Sequence, residues 1–474
     1  MIKWSIWPYC PANKRRLEVV KLKKAPVTAP ALVLLLLFLL LAVFLLDWAG
    51  PPKQSVSAEP PRSTDMAVIG GTTAALLTAL HAAQNGAQVY LFPQGQELGS
   101  DLSFLLAEGL AAPLTPVQEK LGVSFTPVEF KELLRAKGED MHDPVLLNAF
   151  IQFSPYLYTF WEKLSGVSFD YLPDAAGKPY LHSFNPAHQP DPASVRRELE
   201  LKLHRAGVMI RDDAVQELLF SLDGAVSGLV LTRKGEIKEM INLRSVVLAD
   251  GGYSGELQHW HRFLQPEYIK ALRPHEKGWG LRFAAARGMD LLQTGFLRRR
   301  LILYAPTDGI YCFFSRHSWK DAYLLNSKEQ LPVRNGQGEA DFLHFVQNSP
   351  PGGVFLLAAL EDIPATCAPF FRNFSDWENQ ALLPGSGFSS FPHPPGAVRL
   401  AAPVRVGIDY TPDGLAVTPR GEVKRSGTIV KGLYAAGEIC GGLHGKFVLP
   451  GMPLSETIFL AATAGEAAAR HAWR

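Results

Sequence analysis

The stretch DMAVIGGTTAALLTALHAAQNGAQVYLF, residues 65–92, decides the fold. Met66–Ile69 is a short apolar run that ends at Gly70-Gly71. An Ala/Leu-rich stretch follows to Gln84, Asn85-Gly86 stops it, and Gln88–Phe92 is a second apolar run. Strand, tight turn, helix, turn and strand at this length make one half of a Rossmann-type nucleotide-binding sheet. The unpaired N–H groups at the helix start face the turn and suit a pyrophosphate. Glycine lets a phosphate approach the backbone, and the small Ala74 and Ala75 let helix and strand pack closely. Gly70, Gly71, Thr72, Thr73 and Ala74 are therefore the first candidate cofactor contacts. The pattern G-x-G-x-x-G would place glycine at Thr72 and Ala75, and an acid for the ribose where Pro93 stands. A merely structural βαβ unit is the competing reading.

Five further stretches extend this reading along the chain. FKELLRAKGEDMHDPVLLNAFIQFSPYLYTFWEKLSGVSFD (130–170) is helical and ends in a Leu-x-x-Gly-Val turn. SVRRELELKLHRAGVMIRDDAVQELL (194–219) reads as helix and strand, SVVLADGGYSG (245–255) as strand and Gly-Gly turn, and GWGLRFAAARGMDLL (278–292) as a helix. The last is GTIVKGLYAAGEICGGLHG (427–445), followed by LPGMPLSETIFLAATAGEAAARHA (449–472). Together these resemble the flavoprotein family of fumarate reductase, succinate dehydrogenase, L-aspartate oxidase and 3-ketosteroid dehydrogenase, over most of residues 65–474.

The resemblance implies FAD as cofactor and a three-layer α/β fold. It places Gly99 near the first turn, the Val215 backbone against adenine, and Ala249 and Gly251 under the dinucleotide. Leu433–Ala436 would be a strand ending at Gly437-Glu438, whose carboxylate accepts from ribityl or ribose hydroxyls. Pro453 and Leu454 would open a helix running to about Ala469, its N-terminus facing the flavin pyrimidine edge. A capping domain of α+β type is expected as an insertion over 296–399. Its stretch FRNFSDWENQALLPGSGFSSFPHPP (371–395) has the aromatic, Pro/Gly-rich character of a lid. The FAD domain would then comprise 65–295 and 400–474.

The substrate positions depart from the family. His444 matches its substrate histidine, but the arginine expected a few residues on falls on Val448, leaving Lys446 as the nearby cation. A second family histidine falls on Tyr410, a Thr-Glu pair falls near Phe314-Ser315, and Trp279 replaces an acid. The proton-donating arginine has Arg334 in its vicinity. For ketosteroid chemistry, the tyrosine expected before Pro450-Gly451 is Leu449. Arg298-Arg299-Arg300 reads as an anion site or, more simply, as a solvated charge run. Arg316-His317 reads as a cation and an acid, or as surface. Cys440 reads as a redox group beside the flavin, or as a small buried filler.

Composition bounds the rest. Of 474 residues, 47% are hydrophobic and 19% charged, which suits two or three globular domains. The net charge of +2 hides an asymmetry, because residues 1–26 carry seven Lys/Arg against Glu18 alone. The remainder has 40 basic and 44 acidic side chains, with no nucleic-acid footprint. The four cysteines (Cys10, Cys312, Cys367, Cys440) show no C-x-x-C spacing, so neither a metal site nor a haem attachment is expected. Val27–Leu46 holds twenty residues without a charge, enough at 1.5 Å each to span a hydrocarbon layer of roughly 30 Å. The basic flank orients this single helix with its N-terminus inside, in the cytoplasmic membrane, and the main domain outside. A cleaved signal peptide (Val56-Ser57-Ala58) and a twin-arginine signal (Arg15-Arg16) are the alternatives. PPKQSVSAEPPRST (51–64) belongs to a linker over 47–64.

Two functions are expected on these grounds. The first is a membrane-anchored FAD-dependent oxidoreductase moving a hydride between flavin and a small organic substrate, with a cytochrome or quinone-linked electron partner. The second is a catalytically degenerate subunit of the same fold with a structural or assembly role in a membrane complex.

Overall fold

The structure, a computed structural model, describes residues 62–473 except 173–177, 185–189, 234–236, 257–268, 293–294, 305–310, 314–321, 327–329, 334–338, 350–352, 361–362, 364–366 and 374–398. The basic tail, the expected membrane helix (27–46) and most of the linker lie outside the described residues, as do Phe314-Ser315, Arg316-His317 and Arg334. Among the described residues no helix is long and apolar enough to cross a membrane.

The central sheet uses β1 (Met66–Ile69), β2 (Val89–Phe92), β3 (Met209–Ile210), β4 (Ser245–Leu248), β6 (Glu422–Arg425) and β7 (Thr428–Ala435), with β5 (Arg399–Tyr410) lying in another sheet. Its order is β6-β7-β4-β1-β2-β3, parallel except at β6. Every residue of β1 and β4 is buried, as expected for inner parallel strands covered on both faces. Val68 lies opposite Val247 and Leu91, and Val246 lies opposite Leu433. Chain segments more than 150 residues apart are thereby brought side by side.

Helix α1 (Thr73–Gln84) begins at an N-cap, Thr72, whose hydroxyl accepts from the Ala75 N–H, and ends at Asn85 with Gly86 at φ +92. Helix α2 (Met452–Ala472) starts with proline in its first turn and is buried without interruption from Met452 to Ala462. It packs on α1 at Gly465, where a Cβ would stand 3.0 Å from the Thr78 carbonyl oxygen. Helices Pro127–Lys137, Pro144–Phe153 and Leu157–Ser165 form an outer layer. Phe150 stands edge-on to Phe459 of α2 at 5.6 Å.

Between β3 and β4 the chain forms a small antiparallel meander, in which Val226–Arg233 pairs with Ala214–Phe220 on one side and Ile237–Asn242 on the other. The other large sheet is built on β5, which pairs with Arg298–Tyr304, Phe355–Ala359 and Ile269–Ala271. Its core (Leu301, Leu324, Phe342, Leu356, Phe370, Val404) is separate from that of the central sheet. Ile408 and Tyr410, at the far end of β5, already belong to the central core.

Candidate functional site

The turn after β1 meets the ends of β4 and β7. Gly70 has φ +135, and a Cβ there would stand 2.1 Å from the Ala249 carbonyl oxygen. Thr72 donates its hydroxyl to that same oxygen at 2.7 Å. The Gly71 N–H donates to Gln96 Oε1 at 2.7 Å, and Gln96 Nε2 donates to the Asp250 carbonyl at 2.8 Å. At the start of α1, Thr73 gives both its N–H and its hydroxyl to Asp101 Oδ1, each at 2.7 Å. Gly99 is buried and donates to the Gly71 carbonyl at 2.6 Å. The Val215 backbone is paired at both polar atoms with the Gln94 carboxamide, at 2.8 and 2.9 Å.

At the end of β7, Gly437 (φ +79) touches Ala74, so a Cβ there would stand 2.5 Å from the Ala74 Cβ. Glu438 Oε1 accepts from the Thr411 N–H at 2.7 Å and from its hydroxyl at 2.9 Å, while Oε2 meets Arg273. Arg273 also pairs with Glu276 at 2.5 Å. Burial pushes the Glu276 and Glu438 carboxyls up, and the Arg273 guanidinium opposes it. Gly251 (φ +87) faces this cluster, its missing Cβ 3.0 Å from Glu276 Oε1. Arg273 and Arg298 both lie over the rings of Phe104 and Tyr410, at 4.6–5.6 Å.

The Arg298–Arg300 run divides: Arg299 is exposed, as a solvated charge run would have it, while its two neighbours turn inward onto carboxylates. Arg298 and Arg300 are both ion-paired with Asp409 and Glu108. His444 is buried, its Nε2 3.0 Å from Glu456 Oε2 and 3.2 Å from the Tyr410 hydroxyl, which also donates to Glu456. Pro453 and Leu454 are buried in the first turn of α2, one turn before Glu456. Lys446 lies apart from this cluster: it is exposed and paired with Glu139 at 2.8 Å. The Cys440 thiol is buried, and burial pushes its pKa well up, which suits a filler.

These elements define an α/β protein of the FAD-binding class. The chain belongs to the FAD binding domain family, which matches residues 65–298 and 376–454. It is 22% identical over 481 residues to a fumarate reductase (cytochrome) of Shewanella frigidimarina, covering 88% of this chain and 79% of that one. It is 23% identical over 459 residues to an NADH:fumarate oxidoreductase of Klebsiella pneumoniae, covering 87% and 48%. Among solved structures, the open conformation of a flavocytochrome c3 fumarate reductase aligns with a TM-score of 0.74 at 20% identity, over 91% of this chain and 81% of that one. The family membership gives the chain FAD as cofactor and FAD-dependent oxidoreduction as its class of activity.

The residues fit FAD in kind: a helix N-terminus, a backbone edge at Val215, and a carboxylate after β7. In space, several of these atoms are already hydrogen-bonded within the chain. Thr72, Thr73, Asp250 and Glu438 are buried, and Thr73 and Glu438 are bonded to Asp101 and to Thr411 and Arg273. Of the candidates read from the sequence, Gly71, Thr72, Thr73, Gly99, Val215 and Glu438 are already bonded within the chain, whereas Lys446 lies apart.

Sequence reasoning did not single out Gln94, Gln96, Asp101, Phe104, Asp250, Arg273, Glu276 or Glu456. The usable signal was Pro93: with no ribose acid at that position, the polar side chains just beyond it, Gln94 and Gln96, become the groups to place. Asp250 makes a prediction of its own. Its Oδ2 accepts from the Gly280 N–H at 2.8 Å, Oδ1 is buried without a partner among the described residues, and burial raises its pKa to about 6. A raised carboxyl pKa means that the folded state binds the proton more tightly, so stability is lost as pH rises from the unfolded value to about 6. Asp250→Asn is expected to abolish this loss, gaining up to about 3 kcal/mol above that pH and little below pH ~4. Melting temperature measured against pH checks it, and a gain that does not grow with pH would refute it.

Proposed function

We propose that this chain is a membrane-anchored FAD-dependent oxidoreductase of fumarate-reductase-like type, exchanging hydride equivalents with a small organic substrate outside the cytoplasm. One observation carries it: the turn after β1, the end of β4 and Gly437-Glu438 after β7 converge in one parallel sheet, in a chain similar to fumarate reductases over most of its length. When bound, FAD supplies the hydride chemistry. The chain's own part is to keep water out and to hold a proton-bearing group, and Tyr410, His444 and Glu456 form the buried polar cluster suited to that. The names of the fumarate reductase (cytochrome) and of the flavocytochrome c3 support a cytochrome-linked electron partner, and a quinone-linked one is the other form of this proposal. The uncharged run 27–46 with its basic flank supports a single membrane anchor, N-terminus inside, and a capping domain over 296–399 completes the organisation.

A dicarboxylate would need convergent free cations. Arg273, Arg298 and Arg300 are engaged with carboxylates, so the substrate class is set no more narrowly than a small organic molecule. The test is the visible spectrum of the detergent-purified full chain at saturating FAD, followed by anaerobic reoxidation of the reduced protein by fumarate and other small enoates. Retained flavin bands and substrate-dependent reoxidation are expected. A chain that stays colourless at saturating FAD would exclude the proposal. The second reading, a structural subunit, has one observation on its side, the bonds that Asp101 and Gln94 already make to Thr73 and Val215.

A further inference from the structure

We infer that the segment Gln94–Asp101 is an internal stand-in for the adenosine diphosphate half of the dinucleotide, and that it holds the cradle shut in the cofactor-free protein. This rests on the FAD reading above, because it takes the Val215 backbone and the α1 N-terminus as the cofactor's contacts.

The chemistry matches at both ends of one short segment. At the first end, the Gln94 carboxamide donates to the Val215 carbonyl at 2.9 Å and accepts from the Val215 N–H at 2.8 Å. A primary amide presents a donor and an acceptor side by side, which is also what an adenine edge offers through its amino group and the adjacent ring nitrogen. At the second end, Asp101 puts a carboxylate oxygen on the Thr73 N–H and hydroxyl at the start of α1. That is the place where a pyrophosphate sits in this fold, drawn by unpaired N–H groups and the helix dipole. Between them, Gln96 ties the Gly71 N–H to the Asp250 carbonyl. Amide edge, bridge and anion therefore follow the order of base, ribose and phosphate.

Two further observations separate this from an ordinary loop. Gln94 adopts φ +56, a left-handed conformation that disfavours a side-chain-bearing residue, and its two bonds to Val215 are what hold it there. The adjoining Gly71 has no room for a second occupant, since a Cβ there would meet Gln96 at 2.8 Å and the Glu97 carbonyl at 2.9 Å. The segment and a dinucleotide thus compete for the same N–H groups, and FAD enters only as the segment leaves.

The test uses the full chain purified in detergent without flavin, with ADP and FAD as separate probes. Two variants are compared with the native chain: Asp101→Asn, which keeps the shape and removes the charge, and the double variant Gln94→Gly/Asp101→Asn, in which glycine accepts the positive φ. Removing the Asp101 charge is expected to tighten FAD binding by about tenfold, read from quenching of flavin fluorescence, and removing the neutral Gln94 carboxamide as well should tighten it by about a further fewfold. Melting temperature of the variants should fall without FAD and recover with it, which also reports that they fold. Native protein that binds FAD stoichiometrically, with variants no tighter, overturns the inference and leaves the FAD reading standing. Variants that bind ADP but not FAD keep the inference and sink that reading. Failure of every form to bind either probe overturns both.

Discussion

Replacing Arg273 by methionine is expected to remove about 3–5 kcal/mol of stability, enough to unfold a domain of ordinary stability. Among the described residues Arg273 is the one guanidinium paired with both Glu276 and Glu438, both buried. Methionine fills the volume and leaves two carboxylates without their cation. Each must then ionise unpaired in a dry site or take up a proton. The second course is easier at low pH, so the deficit should be larger at pH 8 than at pH 5. Urea denaturation of the variant at the two pH values checks this. A loss below about 1 kcal/mol at both would show that the carboxylates find other partners. Adding Glu438→Gln should restore part of the loss, because it removes one of the stranded charges.

Gly70→Ala should cost about 2–6 kcal/mol, and should do so in protein that has never met a cofactor. The backbone at Gly70 has φ +135, a conformation an L side chain rarely adopts, which accounts for about 1–3 kcal/mol. The added Cβ would also stand 2.1 Å from the Ala249 carbonyl oxygen and 2.6 Å from the Asp250 nitrogen, so β1 and β4 must part, for about another 1–3 kcal/mol. Reading Gly70 as the place where a phosphate approaches predicts something else, a loss of cofactor affinity with unchanged stability of the cofactor-free chain. Chemical denaturation without FAD separates the two. Unchanged stability would return Gly70 to a cofactor role alone.

Much of the architecture is legible in residues 65–92 and 427–472. A buried parallel strand is a short unbroken apolar run, and the helix after it is bounded by a cap and an Asn-Gly stop. MAVI, VYLF and SVVL behave in this way in the sheet. Thr72 shows the limit of motif reading. In place of the expected glycine it caps α1 and ties it to Ala249, work that a pattern of glycines does not reveal. Nearness in sequence to His444 draws Lys446 toward the substrate, yet the two side chains diverge after Gly445. Lys446 meets Glu139 at the surface, while His444 turns inward to Glu456.

The sequence by itself determined the class of fold and the family, because strand, turn and helix signals are local and survive in runs of four to twelve residues. Which groups bond to the cradle's N–H groups was decided only by the tertiary structure. The groups that settle it meet across long stretches of chain: Asp101 reaches Thr73 over 28 residues, Gln94 reaches Val215 over 121, and Arg273 reaches Glu438 over 165. No local rule constrains which carboxylate or amide arrives at a vacant N–H. That depends on where folding sets the ends of β1, β4 and β7, and in this chain it sets Asp101 on Thr73 and Gln94 on Val215.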